Sequence, residues 1–165
     1  VKDILKKTHS NGKKTMIFGN GGSAAIASHF SVDLTKNARV RCTNYNESDL
    51  LTCFSNDYGY KNWIRQAVKF YGTPNDILIL ISSSGQSKNV INAAKFAKKN
   101  KIKVVTFSGF LKSNPLKKLG NYNFHVNSKN YNVIESMHLV MLLSIVEKII
   151  DLKNKKLPTI PNKIG

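Results

Sequence analysis

Acidic residues are scarce in this chain of 165 residues: nine Asp and Glu stand against 26 Lys and Arg, a formal net charge of +17. Such an imbalance raises nucleic acid or another anionic surface as a partner. The lysines, however, are spread along the whole length, as in Lys13-Lys14, Lys98-Lys99, Lys101, Lys103, Lys117-Lys118 and Lys155-Lys156, with abundant asparagine beside them. No RNA-reading aromatic motif and no zinc-finger spacing accompanies them, so nucleic-acid binding is not expected. The basic field is instead compatible with attracting an anionic small substrate. Cysteine is also sparse. Cys42 and Cys53 form neither a CxxC pair nor a disulfide framework, which fits two reduced thiols in a cytoplasmic protein. No apolar run approaches the roughly 20 residues of a membrane span, and the N-terminus has no signal-peptide profile. No shift in composition marks a second domain, so residues 1–152 are expected to fold as one unit, followed by a basic, proline-containing tail over 153–165. Val1 stands where an initiator methionine would, so a processed form or a fragment is expected.

The most informative stretch is Ser82-Ser83-Ser84-Gly85-Gln86-Ser87, between the apolar run Ile77–Ile81 and a helical pattern starting near Lys88. At a strand-to-helix junction, free backbone N–H groups and the positive end of the helix dipole favour an anion. Serine hydroxyls add donors without adding charge. A capping turn would also use Ser and Gly, but four serines around a glycine exceed what capping needs. A phosphate-type ligand is the reading preferred here.

Along the chain, residues 2–11 close a helix at Asn11-Gly12, and Thr15–Phe18 is a short strand. That strand runs into a second glycine loop, Gly19-Asn20-Gly21-Gly22-Ser23, which opens a helix over 23–35. Alternation over Ala38–Cys42 predicts a half-buried strand. Ser48–Phe54 predicts a short helix broken by Ser55–Gly59, and Lys61–Phe70 predicts another. Asp76–Ile81 lacks a polar face and is expected to be central in the sheet. A helix then ends near Asn100, followed by a strand over 102–107, a helical turn over 115–119, a strand over 122–126 and a long helix from Val133 to Leu152. Strands alternating with helices imply a parallel sheet covered on both faces, with ligands beyond the carboxyl ends of its strands. Both glycine-rich loops occupy such ends.

A nucleotide cofactor is not expected. Gly19-x-Gly21-x-x-Ala24 fits only the looser dinucleotide fingerprint, no carboxylate ends the second strand, and no Walker A loop is present. Two Ser/Gly loops on one rim suit one small phosphorylated molecule held from both sides.

Phe18–Ala24, Ser55-Asn56-Asp57-Tyr58-Gly59, Ile81–Ser87 and Glu135-x-x-His138 together resemble the sugar isomerase (SIS) domain family, within it the phosphoheptose isomerase branch. The resemblance covers nearly the whole chain. It implies an α/β fold, a three-layer αβα sandwich around a five-stranded parallel sheet of the flavodoxin-like kind. It also implies homo-oligomers, tetramers or dimers, with active sites between subunits, and a longer first helix than is present here. By the same resemblance Ser82, Ser83, Ser84 and Ser87 grip the phosphate, while Asn20, Gly21, Gly22, Ser23, Asn56, Asp57 and Glu135 line the sugar. On sequence alone Asn56-Asp57 could equally be a local turn. The implied activity is aldose–ketose isomerisation of a sugar phosphate, such as sedoheptulose 7-phosphate, in the synthesis of heptose precursors of lipopolysaccharide. The alternative is a non-catalytic SIS module that binds a phosphosugar or a protein.

Isomerisation needs a base beside the carbonyl and an acid or metal for the enediol oxygens. By position in the family pattern, Asp33 stands where relatives carry a catalytic glutamate, and Glu135 stands where they carry glutamine. Leu143 occupies the place of a histidine. Asp33, Glu135 and His138 are the candidate catalytic residues, with His138 equally readable as a packed structural histidine. His29 and Asp33 share a helix face at i, i+4, and with Glu135 could supply three ligands to zinc.

Overall fold

A computed structural model describes residues 1–153. The elements run α1 (Lys2–Ser10), β1 (Thr15–Phe18), α2 (Gly22–Lys36), β2 (Cys42–Thr43), α3 (Ser48–Tyr58), α4 (Trp63–Tyr71), β3 (Ile77–Ser82), α5 (Lys88–Lys99), β4 (Lys103–Ser108), β5 (Tyr122–His125) and α6 (Tyr131–Lys153), with 3-10 turns at Tyr60–Asn62 and Lys117–Leu119. The five strands form one parallel sheet in the order β2-β1-β3-β4-β5. That is the flavodoxin-like order, and its switch point falls between β1 and β3.

β3 is buried along its whole length because both of its faces are covered. Ile77, Ile79 and Ile81 pack with Leu5 of α1, Phe30 and Leu34 of α2, and Leu142 and Val146 of α6. Leu78 and Leu80 point the other way, into Trp63, Ile64 and Val68 of α4 and Val90 and Ala94 of α5. The period of two along a strand thus divides one apolar run between two cores, giving the expected three layers. Truncating such a residue to alanine costs about 2–5 kcal/mol.

Two elements differ from the sequence reading. The strand expected over Ala38–Cys42 is reduced to Cys42–Thr43. Ala38 and Val40 are buried as their alternation implies, but Arg39 takes φ +57 and kinks the segment out of the sheet. The break expected at Ser55 is absent, because α3 continues to Tyr58 and stops at Gly59, which takes φ +77. Asn56 and Asp57 therefore lie on the last turn of a helix, not in a turn motif. The tail beyond Lys153 lies outside the described residues.

Candidate active site

The loops after β1 and β3 meet at the switch point, and the first turn of α6 closes over them. Between them lies a cavity of about 140 Å³. Ser82, Ser83, Ser84 and Ser87 form one wall, Asn20 and Ser23 face them, and Tyr131 and Glu135 of α6 complete the enclosure. Among the described residues no lysine or arginine lines it, so attraction for an anion comes from hydroxyls and backbone dipoles and works against the Glu135 carboxylate. The helices α2, α5 and α6 all begin here, and none carries an acidic residue in its first turn. The Glu135 carboxylate already lies against Gly22 at the start of α2, and the positive ends of α5 and α6 remain for a ligand to neutralise.

The serine loop keeps its donors available. Ser87 precedes α5 but does not cap it with its side chain; its hydroxyl shares a 3.0 Å hydrogen bond with that of Ser82. The Ser83 hydroxyl is buried with no partner among the described residues, a cost that a ligand oxygen would remove. Gly85 takes φ +65, and a Cβ there would collide with the side-chain oxygen of Asn114. Asn114 is itself buried and braces the loop from behind. Its amide donates to Ser108 Oγ (3.1 Å) and the Leu111 carbonyl (2.9 Å), and its oxygen accepts the Lys117 N–H (2.9 Å).

Gly21 and Gly22 shape the other loop and do not line the cavity themselves. Gly21 turns the chain at φ +53, and Gly22 leaves room for Glu135, whose carboxylate occupies the space that a Cβ would need. Glu135 is therefore the carboxylate that the fold delivers to the serine cradle.

Several expected site residues sit elsewhere. Asn56 and Asp57 are exposed on the end of α3 and bonded to each other, Asn56 Nδ2 donating to Asp57 Oδ1 at 3.0 Å. Of the two readings of His138, its surroundings favour the packed structural one. Three residues after Glu135, its ring turns toward the sheet, is fully buried, meets the Ser108 carbonyl through Nε2 at 3.2 Å and stands edge-on to Phe107. It serves as a core residue. His29 Nε2 and Asp33 Oδ2 are 3.3 Å apart, and Asp33 also accepts from Asn37 Nδ2 at 3.2 Å. Asp33 lies eleven residues along α2 from Gly22, roughly 16 Å at the helical rise, so it does not reach the cavity of its own chain. The three-ligand zinc site of His29, Asp33 and Glu135 is likewise not assembled within one chain, and no cluster of three such groups occurs among the described residues.

Sequence reasoning missed Asn89, Asn114, Tyr60 and Tyr131. Asn89 pairs with Asn20 across 69 positions, and Tyr60 donates to Asn20 across 40. No local pattern announces such partners.

A parallel αβα domain with a serine-lined cavity at its switch point is the architecture of a domain that binds a small ligand beyond the ends of its strands. The chain belongs to the SIS domain family, whose model matches residues 1–109. Its relatives are more specific: the phosphoheptose isomerase of Helicobacter pylori is 35% identical over 145 residues, covering 84% of this chain and 75% of that protein. The phosphoheptose isomerase of Thermodesulfovibrio yellowstonii is 33% identical over 159 residues, covering 91% and 79%. Among solved structures, the phosphoheptose isomerase of Neisseria gonorrhoeae matches with a TM-score of 0.82 at 28% identity, covering 90% of this chain and 82% of that one.

Proposed function

We propose that this protein is an aldose–ketose isomerase acting on sedoheptulose 7-phosphate, supplying heptose for lipopolysaccharide precursors in the cytoplasm. The observation that carries the reading is the placement of the Glu135 carboxylate against Gly22, inside the cavity lined by the four serines. At about 140 Å³ the cavity is smaller than the roughly 300–1,000 Å³ of a complete small-molecule site, so it suits the phosphoryl end of a ligand whose remainder extends outward.

Converting the ketose to the aldose moves one proton from C1 to C2 and another from O1 to O2. A carboxylate beside both carbons can take the first proton and return it to the neighbouring carbon through the enediol. Asp33 of a second copy, facing the mouth of the cavity, is assigned this shuttle with Glu135 assisting, and serine hydroxyls and helix N-termini hold the phosphoryl group. The protein works as a homo-oligomer, in which the α2 face bearing His29 and Asp33 meets the Glu135 cavity of a second copy. Zinc held by His29 and Asp33 would take its third donor from that copy.

A coupled assay on sedoheptulose 7-phosphate tests the reading. Turnover is expected for the native protein, with a loss of about 100-fold or more in Asp33→Asn while substrate still binds. Binding without turnover in the native protein would favour the non-catalytic module instead. One observation supports that alternative: Leu143, which has no titratable group, is half-buried where the family pattern has histidine. In that case Asp33→Glu combined with Leu143→His should create activity.

A further inference from the structure

Asn20 lies on the cavity wall, and the direction in which its amide points can be deduced from its partners. The oxygen and nitrogen of a side-chain amide are similar in shape, so their assignment follows from groups whose role is fixed. The backbone N–H of Val90 can only donate, and it meets Asn89 Oδ1 at 3.0 Å. The other branch of Asn89 is therefore its NH2, which donates to Asn20 Oδ1 at 2.8 Å. The Tyr60 hydroxyl gives the same oxygen a second hydrogen bond at 3.1 Å. Both lone-pair directions of the Asn20 oxygen are then filled. The Asn20 amide returns one N–H to Asn89 Oδ1 at 3.1 Å, which leaves its other N–H uncommitted among the described residues.

We propose that Asn89 and Tyr60 are positioning residues that lock Asn20 in one orientation, so that it offers the cavity a single N–H donor and no acceptor. The lock selects a ligand that places an acceptor oxygen, phosphoryl or carbonyl, opposite Asn20. It also ties the site together, since Asn89 belongs to the first turn of α5, Asn20 to the loop before α2, and Tyr60 to the turn between α3 and α4. Asn89 is buried and Tyr60 is exposed, so the two can be probed with different risks to folding. The proposal rests on the reading of the cavity as a phosphosugar site.

The test is a double-mutant cycle read by calorimetric titration with sedoheptulose 7-phosphate, alongside thermal melts of every variant. Asn89→Ala is expected to weaken binding about tenfold, and Tyr60→Phe about threefold. Both losses should fall below twofold when Asn20 is already alanine, even if the melting temperatures drop equally in the two backgrounds. Equal losses of affinity with and without Asn20 would overturn the proposal, because they would mark a purely structural effect. If the native protein does not bind sedoheptulose 7-phosphate, the functional reading fails, and the same cycle is read with inorganic phosphate, which probes the serine cradle alone. Coupling to Asn20 would then still support the lock, and its absence would sink it. Failure to bind inorganic phosphate as well would overturn both.

Discussion

Gly22 and Glu135 show how one missing side chain can decide a site. Alanine is a better helix former than glycine, and position 22 is exposed at the start of α2, so Gly22→Ala should leave stability nearly unchanged or slightly improved. Its Cβ would nonetheless occupy the place of the Glu135 carboxylate. A displacement of about 1 Å at the reacting groups can cost on the order of 100-fold in rate. The expected outcome is a melting curve close to native with turnover reduced by that order, and equal activity would show that Glu135 is not held there for chemistry. His138 gives a different residue-scale prediction. Burial pushes its imidazole below the ordinary histidine range, the hydrogen bond with the Ser108 carbonyl opposes this, and His125 nearby adds to the lowering. Its folded value thus lies below that of the unfolded chain, near 6.5, so below that pH the unfolded chain binds more protons. Stability should fall on acidification from about pH 6.5 down to the folded value. His138→Leu should shallow that slope in melts followed between pH 7 and 5. The Ser108 carbonyl would keep its other donor, the Val126 N–H at 2.9 Å.

At the scale of elements, β1 and β3 are pinned at their starts by Asp76. Its carboxylate accepts the Lys14 N–H (3.0 Å), the Thr73 N–H (2.8 Å) and the Lys14 ammonium (2.7 Å) while itself buried. Burial alone would raise its pKa, but the hydrogen bonds and charge of Lys14 with the N–H of Thr73 more than offset this, and the net shift is downward. The stability it contributes is therefore present above the unfolded value near 3.9 and is lost as pH falls through the lower folded value. Asp76→Asn leaves the Lys14 ammonium without its partner. It should cost about 3 kcal/mol by denaturant unfolding at pH 7, a difference that shrinks under acid conditions. The elements themselves were largely legible in the sequence, since β1, β3, α5 and α6 follow directly from apolar run length and helical spacing. The exceptions have physical causes. Burial at Ala38 and Val40 gives a period of two without a ladder, because the chain passes through a left-handed Arg39. Ser-Asn-Asp-Tyr-Gly has the composition of a turn, yet the same polar residues serve equally well in a last helical turn before a glycine. The serine cradle could be read locally because a loop supplies it. The Asn20–Asn89–Tyr60 contacts and the Asn114 brace could not, because each depends on which loops the sheet order brings together.

For the whole molecule, the question is what covers the outer surface of α6 and α2. Val133, Met137 and Val140 recur at helical spacing on α6 and stay 47%, 39% and 56% exposed, and Val32 on the adjoining α2 is 58% exposed. Val32 sits next to Asp33, and Met137 lies two residues from Glu135, so this apolar surface borders both halves of the proposed chemistry. A second copy docked there would bury the stripe and could bring the His29–Asp33 pair of one chain toward the Glu135 cavity of the other. Placing lysines at both Met137 and Val140 sets like charges against such an interface on a molecule already carrying +17. Neither side chain is part of the buried core, so the fold itself should survive with a cooperative melt. Light scattering should then report a smaller particle. If a neighbouring chain contributes to the chemistry, turnover on sedoheptulose 7-phosphate should collapse with dissociation and recover as protein concentration is raised. Turnover per chain that stays constant while the particle falls to a monomer would place the whole reaction on Glu135 and the serine cradle of a single chain.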